Sequence, residues 1–90
     1  MYFSILCFDK KNSLEKRKKL RPDHIQYISK FKEKILLVGP ILSDSEEPQG
    51  SLLIIDFKNR NEANNFTEND PYYLGGLFKR VEIYKFKKVF

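Results

Sequence analysis

Histidine and cysteine are nearly missing from this chain, with one of each, and tryptophan is missing altogether. A single cysteine, Cys7, cannot close an internal disulfide. One cysteine and one histidine cannot build a zinc site of the usual four-ligand kind. Cys7 sits in an apolar run and reads as a small buried core residue of a reduced, cytoplasmic protein. No apolar run approaches the roughly 18–20 residues of a membrane span, and the opening residues do not read as a secretory leader. The phosphate-cradling patterns GxxxxGK[ST] and GxGxxG are absent. No nucleophilic serine or cysteine stands out either. The reading therefore carries no metal, no cofactor and no membrane.

What remains is a chain of 90 residues, 41% of them hydrophobic, which reads as one globular domain spanning 1–90. The net charge is +5, but it is uneven. From Lys10 to Lys34 ten Lys or Arg stand against three acids; the remainder holds seven against nine. A basic segment raises the question of RNA. The aromatics of the predicted strands do not follow an RNP-type pattern, so nucleic acid is not the expected partner. Abundant Lys, Asn and Ile also fit a compositional bias of the source genome.

Met1 to Phe8, MYFSILCF, is apolar at nearly every position and predicts a strand covered on both faces. Ser13 is placed to cap a first helical segment ending at Lys19 or Leu20. Pro22 then restarts the chain, and a main helix is predicted from Pro22 to about Lys34. Ile25, Ile28, Phe31 and Ile35 recur at helical spacing and predict its buried stripe. Ile35–Val38 is a second strand, stopped by Gly39-Pro40. Ser43–Gly50, SDSEEPQG, is a solvated loop. Ser51–Phe57 is a third strand, Asn59–Asn69 a second helix ended by Asp70-Pro71-Tyr72-Tyr73, and Arg80–Phe86 a fourth strand.

The order β-α-β-β-α-β is the ferredoxin-like arrangement, an α+β fold of two split βαβ units in one antiparallel sheet. Right-handed crossovers place both helices on one face and leave the other bare. The central first and third strands are apolar on both sides, so the open face is expected to be covered by a second copy in a homodimer. The same topology brings Asp9, His24, Gly39, Pro40 and Asp70 to Tyr73 to one end of the subunit.

At that end His24 and Asp70 form a candidate dyad. A carboxylate accepting a hydrogen bond from one ring nitrogen fixes the tautomer and leaves the other nitrogen to act as a base. A helix starting at Pro22 puts His24 in its first turn, where the dipole works against a positive ring by about 0.3–1 kcal/mol. A hydrogen-bonded carboxylate outweighs that. Arg17 and Arg21, with free N–H groups of Asp23 and His24, would offer a place for a carboxylate or phosphate. The plainer readings are a solvent-facing helix histidine, a turn-capping aspartate and a basic solvated helix face. Spacing alone favours them. Tyr72 and Tyr73 are as readily packing residues as ligand contacts.

Four features taken together resemble the YciI-like (YCII-related) family. They are an opening strand ending in Asp9-Lys10, SLEKR followed by RPxH (Arg21 to His24), then Gly39-Pro40, and DPY (Asp70 to Tyr72) with Gly76 and a closing FKKVF. They span nearly the whole chain. The resemblance implies a dimeric α/β barrel of ferredoxin-like subunits and a site centred on a His–Asp pair, which falls on His24 and Asp70. Arg17 and Arg21 also match. The segment after His24 and the loop before Gly50 are shorter than the family pattern, and Lys85 stands where a proline is usual. The implied function is a small cofactor-independent enzyme doing acid–base chemistry on a small anionic organic molecule. His24 and Asp70 would be catalytic; Arg17, Arg21, Gly39, Pro40 and Tyr72 would bind the ligand. A non-catalytic metabolite-binding or accessory domain is the alternative.

Overall fold

The computed structural model describes all residues, 1–90. β1 (Tyr2–Asp9) leads to α1 (Leu14–Ser29), a single 3-10 turn (Lys32–Lys34) and β2 (Ile35–Leu42). β3 (Pro48–Asp56), α2 (Arg60–Glu68), the short α3 (Pro71–Leu74) and β4 (Phe78–Phe86) follow. The strands make one antiparallel sheet in the order β2-β3-β1-β4. This is the expected ferredoxin-like α+β arrangement, with β1 and β3 in the centre.

The alternation of the central strands assigns their faces. Phe3, Ile5 and Cys7 on β1 and Leu53 and Ile55 on β3 point to the helices, where they pack with Ile28 of α1 and Ala63 and Phe66 of α2. Each large apolar side chain sealed there contributes about 1.5–3 kcal/mol relative to exposure. The register pairs Cys7 with Ser51 and Phe8 with Gly50. A Cβ on Gly50 would lie 2.3 Å from the Cys7 carbonyl oxygen. Only glycine lets β1 and β3 close at this end, and the closure sets Ser51 beside the last residues of β1.

Several boundaries depart from expectation. The predicted break at Pro22 does not occur; α1 is one helix with Pro22 inside it. An internal proline removes one hydrogen bond and costs about 3 kcal/mol. Here Pro22 and Lys18, whose carbonyl loses its partner, are both exposed, so water can serve that carbonyl. Arg17 before the proline and His24 after it are each anchored by side-chain bonds to other elements, which holds the two halves in one line. Consequently Asp23 and His24 are not at a helix start, and their N–H groups are not the free ones expected to bind an anion.

The helix also ends at Ser29 rather than near Lys34. Phe31 leaves it to meet the Phe66 ring edge-on, with centroids 4.8 Å apart. Ile25, placed in the buried stripe by its spacing, is 40% exposed. β2 does not stop at Val38 but runs through Gly39-Pro40 to Leu42. It is an edge strand, where a proline need not break a ladder. β3 begins at Pro48, so the loop is Ser43 to Glu47 rather than Ser43 to Gly50. β4 begins at Phe78, and a bulge at Lys79, opposite the step from Phe8 to Asp9, lets Phe78 pack against the core.

Candidate functional site

Arg17, His24 and Ile28 are the buried residues of α1 and recur seven and four apart, one face of the helix. That face is buried without being apolar, so each polar member needs a partner. Arg17 finds two. Its Nε donates to Asp9 Oδ2 at 2.7 Å and its Nη2 to Asp9 Oδ1 at 3.0 Å, a bidentate pair at the end of β1. Nη2 also donates to Ser51 Oγ at 2.9 Å. Burial works against the guanidinium, but the hydrogen bond and charge of Asp9 outweigh it and hold the Arg17 pKa above its ordinary value.

Asp70 caps α3, and Pro71 occupies its first position, the local logic of Asp-Pro-Tyr. Asp70 Oδ1 accepts the Tyr72 N–H at 2.9 Å and lies 2.9 Å from His24 Nδ1. An ionised carboxylate only accepts, so the His24 proton belongs on Nδ1. Asp70 therefore orients two neighbours with one oxygen. Tyr72 stacks on the His24 ring, with centroids 3.9 Å apart and planes 11° from parallel. On its other face the Arg17 Cζ lies 4.7 Å from the Tyr72 centroid. The result is one continuous buried column: Asp9, Arg17, Tyr72, His24, Asp70.

The column forms one wall of a cavity of about 290 Å³ between α1 and the β2–β3 hairpin. Leu14, Arg17, Lys18, Arg21, His24, Ile25 and Ile28 face it from α1; Val38, Gly39, Pro40, Pro48 and Ser51 face it from the strands, with Tyr72 from α3. His24 Nε2 has no protein partner, yet no buried side-chain nitrogen or oxygen is left unpaired. Nε2 is therefore open to the cavity. Arg21 is exposed at the rim and has no carboxylate within ion-pair distance. The Cys7 thiol lies behind the column; burial foremost, then the nearby Asp70, pushes its pKa up to about 12.

Of the predicted residues, His24, Arg17, Arg21, Gly39, Pro40 and Tyr72 all line this cavity, and Asp70 stands directly behind His24. Arg17 is less free than its spacing implied, since Asp9 and Ser51 take Nε and Nη2. Sequence reasoning missed Ser51, Lys18 and the apolar walls. Ser51 carried a signal, a lone hydroxyl at the head of the run LLII opposite Cys7. Lys18 carried none beyond its helical spacing to Arg21. No three His, Cys, Asp or Glu side chains gather as a metal-binding group. No helix is long and apolar enough to cross a membrane.

A model of the YCII-related domain matches residues 1–87. The chain is 34% identical to Protein YciI of Escherichia coli strain CFT073, with 100% of both chains covered. It is likewise 34% identical to an uncharacterized protein of Haemophilus influenzae, again over 100% of both. Among solved structures it resembles 5-chloro-2-hydroxyhydroquinone dehydrochlorinase (TftG) of Burkholderia phenoliruptrix AC1100, in complex with 2,5-dihydroxybenzoquinone. The TM-score is 0.91 at 33% identity, covering 97% of this chain and 94% of that one. An antibiotic biosynthesis monooxygenase structure (TM-score 0.57, 11% identity, 99% of each chain) shows the fold alone. The chain belongs to the YCII-related family.

Proposed function

We propose that this member of the YCII-related family is a small acid–base enzyme acting on a small, anionic, hydroxylated organic molecule. One observation carries the reading: His24 is held through Nδ1 by Asp70 and turns Nε2 to an otherwise largely apolar cavity. A base so placed removes a proton from a bound O–H or C–H, and Asp70 orients the ring and steadies the charge it gains. Arg21, unpaired at the rim, and Lys18, one turn before it on the same side, attract and hold the anion. The similarity to the dehydrochlorinase favours elimination. In an aromatic ligand the halogen-bearing carbon first gains a proton as a neighbouring hydroxyl loses one, giving the keto form. His24 then takes the proton of a second hydroxyl. That bond's pair makes a new C=O and shifts the adjacent double bond toward the halogen-bearing carbon, and the halide departs with the electrons of its own bond, leaving a quinone.

A reducing, cytoplasmic setting agrees with the unpaired Cys7. A homodimer through the open sheet face belongs to the same reading. Tyr2, Leu6 and Phe8 on β1, Leu52 and Ile54 on β3, Leu37 on β2 and Tyr84 and Phe86 on β4 alternate away from the helices. Leu37, Tyr84 and Phe86 are each 40% exposed or more. Arg80 and Glu82 on this face pair with each other, leaving it nearly neutral and suited to a second copy of itself.

The test is turnover of halogenated hydroxyhydroquinones, followed by absorbance and halide release. The reading expects conversion by the wild type and a loss of about a hundredfold or more in His24→Gln. Binding with no conversion in the wild type would replace it with the alternative, a metabolite-binding domain.

A further inference from the structure

The Arg17 guanidinium is only partly used by the protein. Nε and Nη2 grip the two oxygens of Asp9 side-on. That takes one hydrogen of Nη2, and the other goes to Ser51 Oγ at 2.9 Å. A guanidinium is planar, and its five N–H bonds point in fixed directions. The Nη2 hydrogen that turns away from Asp9 runs parallel to one hydrogen of Nη1. Elsewhere in proteins this outer pair holds the two oxygens of a carboxylate. Here Ser51 Oγ fills the first of the two places. Nη1 has no protein partner, yet no buried side-chain nitrogen is left unpaired. The second place is therefore open, and Arg17 and Ser51 both line the cavity.

An oxygen in that second place sits beside Ser51 Oγ, within reach of an O–H···O bond of about 2.5–3.0 Å. Ser51 Oγ accepts from Arg17, and no group of the chain accepts the Ser51 proton. One ligand oxygen can thus take two hydrogen bonds, one from Nη1 and one from the Ser51 hydroxyl. Both donors are held firmly. Arg17 and Ser51 are 6% and 3% exposed. Ser51 stands in the helix-facing row of β3 with Leu53 and Ile55, paired with Cys7 of β1 on one side and Pro40 of β2 on the other. Asp9 balances the Arg17 charge, so the two donors present fixed dipoles without net charge. Buried, preorganised dipoles of this kind are worth most to an oxygen that gains charge during a reaction. A charge already present on the ligand is the business of Arg21 and Lys18 at the rim.

We propose that Arg17 Nη1 and the Ser51 hydroxyl form a two-donor socket for one ligand oxygen, the oxygen on which negative charge collects as His24 takes a proton. This rests on the acid–base reading above and deepens it, giving Ser51 a direct contact with the ligand. The proton moves to His24 Nε2, its bonding pair ends on the oxygen in the socket, and the socket's own hydrogens stay on Nη1 and Oγ.

The probe is 4-nitrophenol, whose phenol and phenolate forms absorb at different wavelengths, so the pKa of the bound molecule can be read directly. The wild type is expected to bind it and to hold its pKa below that of the free phenol. Ser51→Ala should raise the bound pKa by about one unit, a tenfold loss of preference for the phenolate, the worth of one hydrogen bond to a charged oxygen. A Ser51 that merely supports the fold would weaken both forms alike and leave the bound pKa in place. A crystal structure of the wild type with the probe, which needs no variant to fold, should show its oxygen within about 3.2 Å of both Nη1 and Ser51 Oγ. A probe oxygen lodged elsewhere, no binding at millimolar concentration, or a bound pKa indifferent to Ser51→Ala each overturns the proposal. Its failure is separate from that of the enzyme reading. Turnover of halogenated hydroxyhydroquinones that Ser51→Ala leaves unchanged removes the socket and keeps the enzyme. A probe held in the socket, with no turnover of those compounds, removes the enzyme and keeps the socket as a binding site.

Discussion

Replacing Asp9 by alanine should be the most damaging single change near the site, although Asp9 itself is not among the residues that line the cavity. The Asp9 and Arg17 side chains are 6% and 7% exposed. Without Asp9 the guanidinium keeps only Ser51 and a stacking face, and its charge stays buried. Removing one partner of a buried pair costs about 3–5 kcal/mol. A domain of this size has about 5–15 kcal/mol in total and loses about 4–8 °C of Tm per kcal/mol. Asp9→Ala should therefore lower Tm by at least about 12 °C. The urea midpoint should fall in proportion at an unchanged m-value. Removing both charges, in Asp9→Leu with Arg17→Met, should recover most of the loss, since no buried charge is then left unpaired and only the Ser51 hydroxyl loses its partner. The exposed pair between the Met1 amino group and Asp56 is the control: Asp56→Ala should cost less than about 1 kcal/mol. If Asp9→Ala changes stability by less than about 0.5 kcal/mol, Arg17 is not committed to Asp9 and the buried pair is not what holds this end of β1 to α1.

Two further outcomes follow from the same physics. Cys7 and Tyr27 both have pKa values pushed up to about 12, from 9.0 and 10.0, first by burial and then by Asp70. Their neutral forms belong to the fold and the unfolded chain ionises first, so stability is full below about pH 9 and drains away as pH rises toward 12. Thermal melts across that window should show the fall, and native Cys7 should resist a thiol reagent at pH 8 until denaturant is added. Leu6 and Leu52 face each other on the open side of the sheet. Leu6→Asp should turn a dimer into a monomer in sedimentation velocity without unfolding it; a wild type that sediments as a monomer at micromolar concentration refutes the face-to-face pairing.

The parts of the fold legible in the sequence were those where side-chain pattern and backbone agreed. MYFSILCF and SLLIIDF could be little else than central strands, and their order with the helices implied the sheet. The same topology was enough to bring His24 and Asp70 together. The errors cluster where tertiary contacts override a local rule. Pro22 reads as a helix boundary, yet Arg17 and His24 on either side of it are both anchored, and the helix continues. Gly39-Pro40 reads as a strand end, yet an edge strand tolerates it. The pairing of Arg17 with Asp9 was not foreseen, because Asp9 lies across a turn and looked like a loop residue. Nothing in the spacing reveals that Tyr72 would lie against both the Arg17 guanidinium and the His24 ring. That depends on α3, a helix of four residues with no periodicity to read.

The central claim is that Asp70 holds the His24 proton on Nδ1 so that Nε2 faces the ligand as a base. The most direct test is a long-range proton–nitrogen NMR correlation of the single histidine ring, recorded where the ring is neutral, in the wild type and in Asp70→Ala. The account predicts a protonated Nδ1 and a bare Nε2 in the wild type, and a loss of that fixed tautomer in the variant. A wild-type ring that carries its proton on Nε2, or a tautomer indifferent to Asp70, would contradict it.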